Sequence, residues 1–140
     1  MAELRALADD LFREHYEEVA RHKRIMQLSP DWDRYETIEA NGSLFALAAW
    51  VGGTLVGYSA TFIGAHLHYS GLIFAQNDVL FVAPDYRGGA GKMLIRATED
   101  EARARGAQML TWHAKQGTAL DRILPHLRYD VHDVIYSKEL

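Results

Sequence analysis

The sequence predicts one α/β (α+β) domain over residues 1–140: a mixed, mostly antiparallel central sheet with a parallel, splayed strand pair and helices on both faces. Three observations predict it. Apolar residues recur at helical spacing up to residue 40. The pattern then turns strand-like across a Gly-Gly pair. Beyond that, an apolar run, a glycine-rich turn, a helical stretch and a second apolar run follow in strand–helix–strand order.

Each element has its own signal. Leu4, Leu7, Ala8, Leu11, His15 and Val19 recur at helical spacing with Glu, Asp and Arg between them, which predicts an amphipathic helix over 3–22. Ser29-Pro30-Asp31 is a helix start and Asn41-Gly42 a stop, so a second helix spans 31–40 and carries Trp32 and Tyr35. Leu44 to Val51 and Thr54 to Ile63 read as strands joined by a tight Gly52-Gly53 turn. Leu72 to Phe74 and Asp78 to Val82 form the next strand, interrupted near Gln76-Asn77 and ended by Pro84. A helix follows, with Ala90, Met93, Leu94, Ala97 and Ala104 on one face. Glu99–Arg103 and Glu101–Arg105 are spaced as i,i+4 pairs on the other, and Gly106 closes it. Met109 to Ala114 is a strand, Thr118 to His126 a short helix and Val131 to Ser137 a last strand. The crossover between 78–82 and 109–114 should be right-handed and make those strands parallel. Trp50 and Trp112 are assigned to sheet packing.

Composition narrows the function classes. The chain is 49% hydrophobic and 24% charged, and a domain of this length buries roughly 70% of its unfolded surface without needing staples. A net charge of −4 gives no strong nucleic-acid signal. The absence of cysteine removes disulfides, thiolate catalysis and cysteine metal sites. The longest apolar run, Leu44 to Val51, falls far short of the ~20 residues that span a bilayer. Together with an N-terminus lacking a basic start, this leads to the expectation of a cytoplasmic protein without membrane contact.

The chemistry concentrates in Tyr86-Arg87-Gly88-Gly89-Ala90-Gly91-Lys92, where three of the 11 glycines fall within four residues. Glycine permits positive φ and removes the Cβ that keeps a ligand off the backbone. A loop of free N–H groups opening a helix is an anion site, and Arg87 and Lys92 add positive charge. A Walker A loop is excluded, because its first glycine falls on Tyr86 and Met93 follows Lys92. A dinucleotide fingerprint is excluded too: Leu94 takes its third glycine position and the preceding strand is not the first.

The segment Leu80-Phe81-Val82-Ala83-Pro84-Asp85-Tyr86-Arg87-Gly88-Gly89-Ala90-Gly91-Lys92-Met93-Leu94-Ile95 resembles the main motif of the GNAT superfamily, the acetyl-CoA-dependent N-acyltransferases related to histone acetyltransferases. That motif is an apolar strand, a Pro, an Arg-Gly and a glycine-rich loop entering a helix. The element order resembles the family fold over nearly the whole chain, and Leu127-Arg128-Tyr129 is similar to the Leu-Gly-Phe/Tyr signature before its last strands. The chain departs in three places: the loop reads one residue short, Arg128 replaces a Gly, and Leu124 falls where a Tyr often serves as general acid.

The resemblance implies acetyl-CoA as acyl donor and an amine acceptor, either a small molecule or a macromolecule. It implies a pantetheine arm entering the splay and pairing with the backbone of Phe81 and Val82, and a pyrophosphate on the amides of Gly88, Gly89, Ala90, Gly91 and Lys92 beside Arg87. It further implies a thioester carbonyl polarised by a main-chain N–H near Val82 and direct attack by the amine. The alternative is a catalytically inactive acyl-CoA-binding or adaptor domain of the same fold. A homodimer through the C-terminal strand is expected by analogy.

The candidate catalytic residues are Asp78 and His113. Asp78, at the start of the central strand, suits a general base acting directly or through water; it reads equally as an exposed strand-end carboxylate. His113, near the end of the parallel strand, carries an imidazole that suits a proton relay; a backbone-bonded structural histidine is the other reading. Tyr86 and Tyr136 are candidate acids. His66, His68 and Tyr69, together with Trp32 and Tyr35, are candidates for the acceptor pocket. Asp121 and Arg122 are candidates for cofactor contact. No metal site is expected, because His-x-His on a loop lacks a third placed ligand.

Overall fold

A computed structural model describes residues 1–139. Its N-terminal layer is helical because Leu4, Ala8 and Phe12 recur every fourth residue and bury a single stripe. The helix expected over 3–22 is two, α1 (Ala2–Leu7) and α2 (Asp9–Val19), divided at Ala8, whose ψ of 10° leaves the helical range. Asp9 and Asp10 then sit in a first turn, where the helix dipole favours acids. α3 (Trp32–Ala40) begins as predicted, the Asp31 carboxylate accepting from the Arg34 N–H at 3.1 Å.

The sheet has four strands in the order β1 (Leu44–Val51), β2 (Thr54–Ala65), β3 (Ile73–Val82) and β4 (Met109–Thr111). The first two pairings are antiparallel and β3–β4 is parallel. The β1–β2 turn uses Gly52 and Gly53 at φ +56° and +80°, the conformation a tight hairpin demands at both central positions. Two-residue alternation splits the core. Leu44, Tyr58 and Phe81 face the α1–α3 layer, whereas Phe45, Ile63 and Ala75 face Ala102 of α4 (Ala90–Ala104). Ser59, next to Tyr58, meets Thr98 of α4 across a buried hydroxyl pair at 3.0 Å.

Several elements differ from expectation. β3 is continuous through Gln76-Asn77, because a bulge absorbs the irregularity: Ala60 pairs with Val79 and Thr61 with Asn77, leaving Asp78 as the extra residue. Asp78 is therefore in mid-strand. β4 stops at Thr111 instead of Ala114. The late helix is α5 (Ala119–Ile123), started by Thr118 and continued by a 3₁₀ turn, Leu124–Leu127. Arg103 pairs with Asp100 at 2.8 Å, freeing Glu99 to accept from the Tyr129 hydroxyl, while Arg105–Glu101 forms as spaced. Trp50 is exposed on β1, and Trp112 lies against the Tyr129 ring.

The strand expected over 131–137 does not form. Val131, Val134, Ile135 and Tyr136 do not alternate, so extended chain here would present no single apolar face, and all four are exposed. This segment instead returns to the start of the chain, with the Ser137 hydroxyl 3.0 Å from His22 and Glu139 accepting from Arg24. The dimer expectation thereby loses the strand on which it rested.

Candidate active site

The site follows from where β3 loses a neighbour. Pairing with β4 covers only Phe74↔Met109 to Gln76↔Thr111. One step on, the buried Asn77 side chain accepts from the His113 N–H, bridging a gap that backbone no longer spans. Past that bridge the chains part, opening a cleft of about 310 Å³. Its floor is residues 77–82 of β3. One wall is His15, Glu18 and Val19 of α2 with Met26; the other is His113, Lys115, Thr118, Ala119, Leu120 and Ile123; Arg87, Gly91 and Ile95 close the end.

Strand alternation decides which peptide groups of the floor are open. The Ala83 N–H donates to Val56 C=O, so the polar groups of Phe81 also face β2, and those of Leu80 and Val82 face the cleft. Phe81 contributes its ring, and the backbone positions available for pairing are Leu80 and Val82. Val82 is held from below by Gly57, its partner on β2. A Cβ at Gly57 would lie 2.8 Å from both Phe81 O and Val82 Cγ2, so only glycine lets the strands approach there.

The glycine turn opens α4 with its donors unspent. Tyr86 N–H bonds Ala83 C=O, Arg87 N–H bonds Pro84 C=O, and Met93 N–H bonds Gly89 C=O. Between them, the N–H groups of Gly88, Gly89, Ala90, Gly91 and Lys92 make no hydrogen bond of good geometry among the described residues. A Cβ on Gly88, Gly89 or Gly91 would meet nothing within 4 Å, so the turn borders open space at these three residues. Lys92 is exposed beside them. Arg87 turns inward instead: its Nε donates to Val82 C=O at 2.9 Å, its Nη2 to Glu18, and its guanidinium lies over the Phe81 ring. It ties α2 to the loop and holds the end of β3.

Two further polar groups sit on the cleft. The Tyr35 hydroxyl of α3 donates to the Asp78 carboxylate, which the bulge aims towards that helix. Burial, then this bond, raises the Tyr35 pKa, so the hydroxyl stays protonated. His15 lies parallel to the Phe81 ring, centroids 4.9 Å apart, with Nδ1 2.8 Å from the fully buried Tyr58 hydroxyl. Burial pushes His15 down to about 4, with Arg87 adding to the fall and Glu18 opposing it, so the ring is neutral at pH 7.

The structure thus brings Asp78, His113, Phe81, Val82, Arg87 and Gly91 to one cleft, with Gly88, Gly89, Ala90 and Lys92 completing the turn at its end. Other candidates lie elsewhere. His66, His68 and Tyr69 cluster on the β2–β3 loop, at the opposite end of β3. Trp32 packs on Phe12. Tyr86 and Tyr136 do not line the cleft. Asp121 accepts from the Gly117 N–H and Arg122 donates to Gly117 C=O, which fixes the start of α5. His15, Asn77 and Gly57 were missed by the sequence reading. Each had a signal: a polar residue on a helix's apolar stripe, an amide inside a strand, and a glycine inside a strand.

Fold and site define a class: a mixed sheet whose parallel pair splays over a floor of free peptide groups, ending at an anion-receptive helix start. The acetyltransferase (GNAT) family model matches residues 3–120, and the chain belongs to this family. Similar solved structures include a ribosomal-protein-alanine N-acetyltransferase from Brucella melitensis biovar Abortus 2308, 26% identical, TM-score 0.64, covering 93% of this chain and 89% of that one. An aminoglycoside acetyltransferase, meta-AAC0020 from an uncultured soil metagenomic sample in complex with sisomicin, is 20% identical, TM-score 0.67, with 94% and 84% covered. Aminoglycoside N-acetyltransferase AAC(6')-Iy in complex with CoA is 17% identical, TM-score 0.59, with 78% and 90% covered. No curated protein matches the chain.

Proposed function

We propose that the protein transfers an acetyl group from acetyl-CoA to a primary amine by direct attack. The observation that carries this reading is the run of five unpartnered amides, Gly88 to Lys92, opening α4 with no Cβ in front of its three glycines. This arrangement fits a diphosphate, because first-turn N–H groups and the helix dipole both favour negative charge. Family membership and the likeness to a CoA complex support the same donor.

Acetyl-CoA supplies an activated thioester carbonyl; the amine attacks it and the thiolate leaves. The Leu80 peptide groups and the Val82 N–H, which β2 leaves open, suit an extended amide-bearing arm that adds to the sheet as a strand in the place β4 vacates; the Val82 C=O is already taken by Arg87. The Leu80 and Val82 N–H groups are donors for a carbonyl oxygen whose charge grows during reaction. Asp78 takes a proton from the acceptor's ammonium, directly or through a water, so that the free amine attacks, and the Tyr35 hydroxyl fixes the carboxylate's orientation. The cleft offers Asp78 as its carboxylate not paired to a cation, since Glu18 is taken by Arg87. The acceptor is a small-molecule or macromolecular amine. Among the described residues no helix is long and apolar enough to cross a membrane; the cytoplasm suits a chain without cysteine.

A second reading, a non-catalytic acyl-CoA binder, is favoured by Leu124, buried where the resemblance implies a tyrosine acid. Calorimetric titration with CoA, followed by a screen of amines with acetyl-CoA read as free thiol, separates the two. Binding with amine-dependent thiol release is the expected result. Binding without transfer to any amine supports the second reading, and no binding overturns both.

A further inference from the structure

His15 lines the cleft, is tied to the core by a side-chain hydrogen bond to a fully buried hydroxyl, and has no part in the mechanism above. The Tyr58 hydroxyl is fully buried, and His15 Nδ1 is its hydrogen-bond partner at 2.8 Å. A buried hydroxyl proton with no other acceptor must go to that nitrogen, so Nδ1 accepts and the ring proton sits on Nε2. Nε2 makes no hydrogen bond among the described residues. Nor is it sealed off: the buried side-chain polar atoms without a partner are Thr61 Oγ1 and Trp112 Nε1. Nε2–H is therefore a donor that is not sealed off, on a residue that lines the cleft.

Three contacts hold this donor in place: the Tyr58 bond, the parallel Phe81 ring and the packing of α2. Glu18 and Arg87 are the charged groups around it, and they are committed to each other. Phe81 lies between Leu80 and Val82, whose polar groups face the cleft, so the donor overlooks the stretch of floor where an extended ligand would run.

We infer that His15, held as its Nε2–H tautomer by Tyr58, donates a hydrogen bond to a carbonyl oxygen of the acyl-pantetheine arm. This rests on the acyl-CoA reading. It adds a ligand-binding role for a residue of α2, outside the strand–turn–helix motif, and makes Tyr58 the residue that positions it. No proton is transferred; a neutral imidazole donates and keeps its hydrogen. The carbonyl belongs either to the thioester or to a pantetheine amide.

Nitrogen NMR of the ¹⁵N-labelled full chain tests this, with CoA and then acetyl-CoA as probes. The free protein should show His15 neutral and protonated at Nε2 at pH 7. A shift of the Nε2–H signal with both probes supports the amide, and a shift with acetyl-CoA alone supports the thioester. If either probe moves the backbone amides of Gly88 to Lys92 while His15 stays unmoved, the inference fails and the acyl-CoA reading stands. If neither binds, both fall. An Nδ1–H tautomer in the free protein also overturns it. Replacing His15 and Tyr58 together by Phe keeps the ring stack and leaves no hydroxyl unpaired. This variant should fold and bind the supporting probe about tenfold more weakly, as one lost hydrogen bond predicts. Unchanged affinity in the folded variant overturns the inference.

Discussion

The two halves of β3 have similar composition and different fates. From Phe74 to Gln76 the strand is paired on both sides, to β2 and to β4. From Leu80 to Val82 it is paired to β2 alone, and its other side faces a cleft. No special side chain creates this difference. The neighbour ends three residues after it begins, Asn77 bridges the first step of divergence, and the Asp78 bulge turns a carboxylate towards α3 at the same point. The floor of the cleft is thus an ordinary strand deprived of one partner, and the glycine turn follows at its end.

The largest test breaks that turn. Gly89→Glu places a carboxylate before the open amides without a steric clash, since nothing lies within 4 Å of its Cβ. CoA affinity by calorimetry should fall by about a hundredfold or more while the circular dichroism spectrum holds. Retained affinity in the folded variant would remove the diphosphate site. Next, Asp78→Asn with an acceptor from the amine screen should lower kcat by on the order of a hundredfold and leave KM for acetyl-CoA unchanged. Equal kcat would move the base elsewhere on the floor.

A pH series probes the α2 wall. His15 titrates near 6.5 when unfolded and at about 4 when folded, so the unfolded chain binds more protons between those values. Its contribution is fully present above pH 6.5 and is lost as pH falls from 6.5 towards 4. The loss should reach about 2–3 kcal/mol by urea denaturation and be absent in the His15/Tyr58 double Phe variant. Asn77→Ala leaves the His113 N–H without its acceptor, and should cost about 1–3 kcal/mol in the same assay. A smaller cost with intact CoA binding would mean that the splay does not need its bridge. The smallest effect is expected at Ile135→Asp. If the C-terminal segment covers neither the cleft nor the β4 edge, stability should change by less than about 0.5 kcal/mol. A large loss would show that this segment packs.

Much of this arrangement was legible in the residues. Gly52-Gly53 specified its hairpin through positive φ, Asp31 capped its helix, and the order from Leu80 to Ile95 announced strand, turn and helix. These signals are local: each needs only a dihedral preference or a neighbour within four residues. His15 shows the limit. Helical spacing put it on the buried stripe of α2, which it occupies, but its tautomer and accessibility depend on Tyr58, 43 residues away. Arg87 shows it from the other side. Its position beside the glycines pointed to a phosphate, whereas the folded chain commits it to Glu18 and Val82 C=O.

By itself the sequence determined α3, the β1–β2 hairpin and the strand–turn–helix order into α4, because backbone preference and periodicity act within a few residues. The tertiary structure alone decided where β4 stops, which peptide groups of β3 stay open, and that residues 131–137 do not join the sheet. Those outcomes depend on which distant segments meet. A strand's free edge is a property of its neighbours.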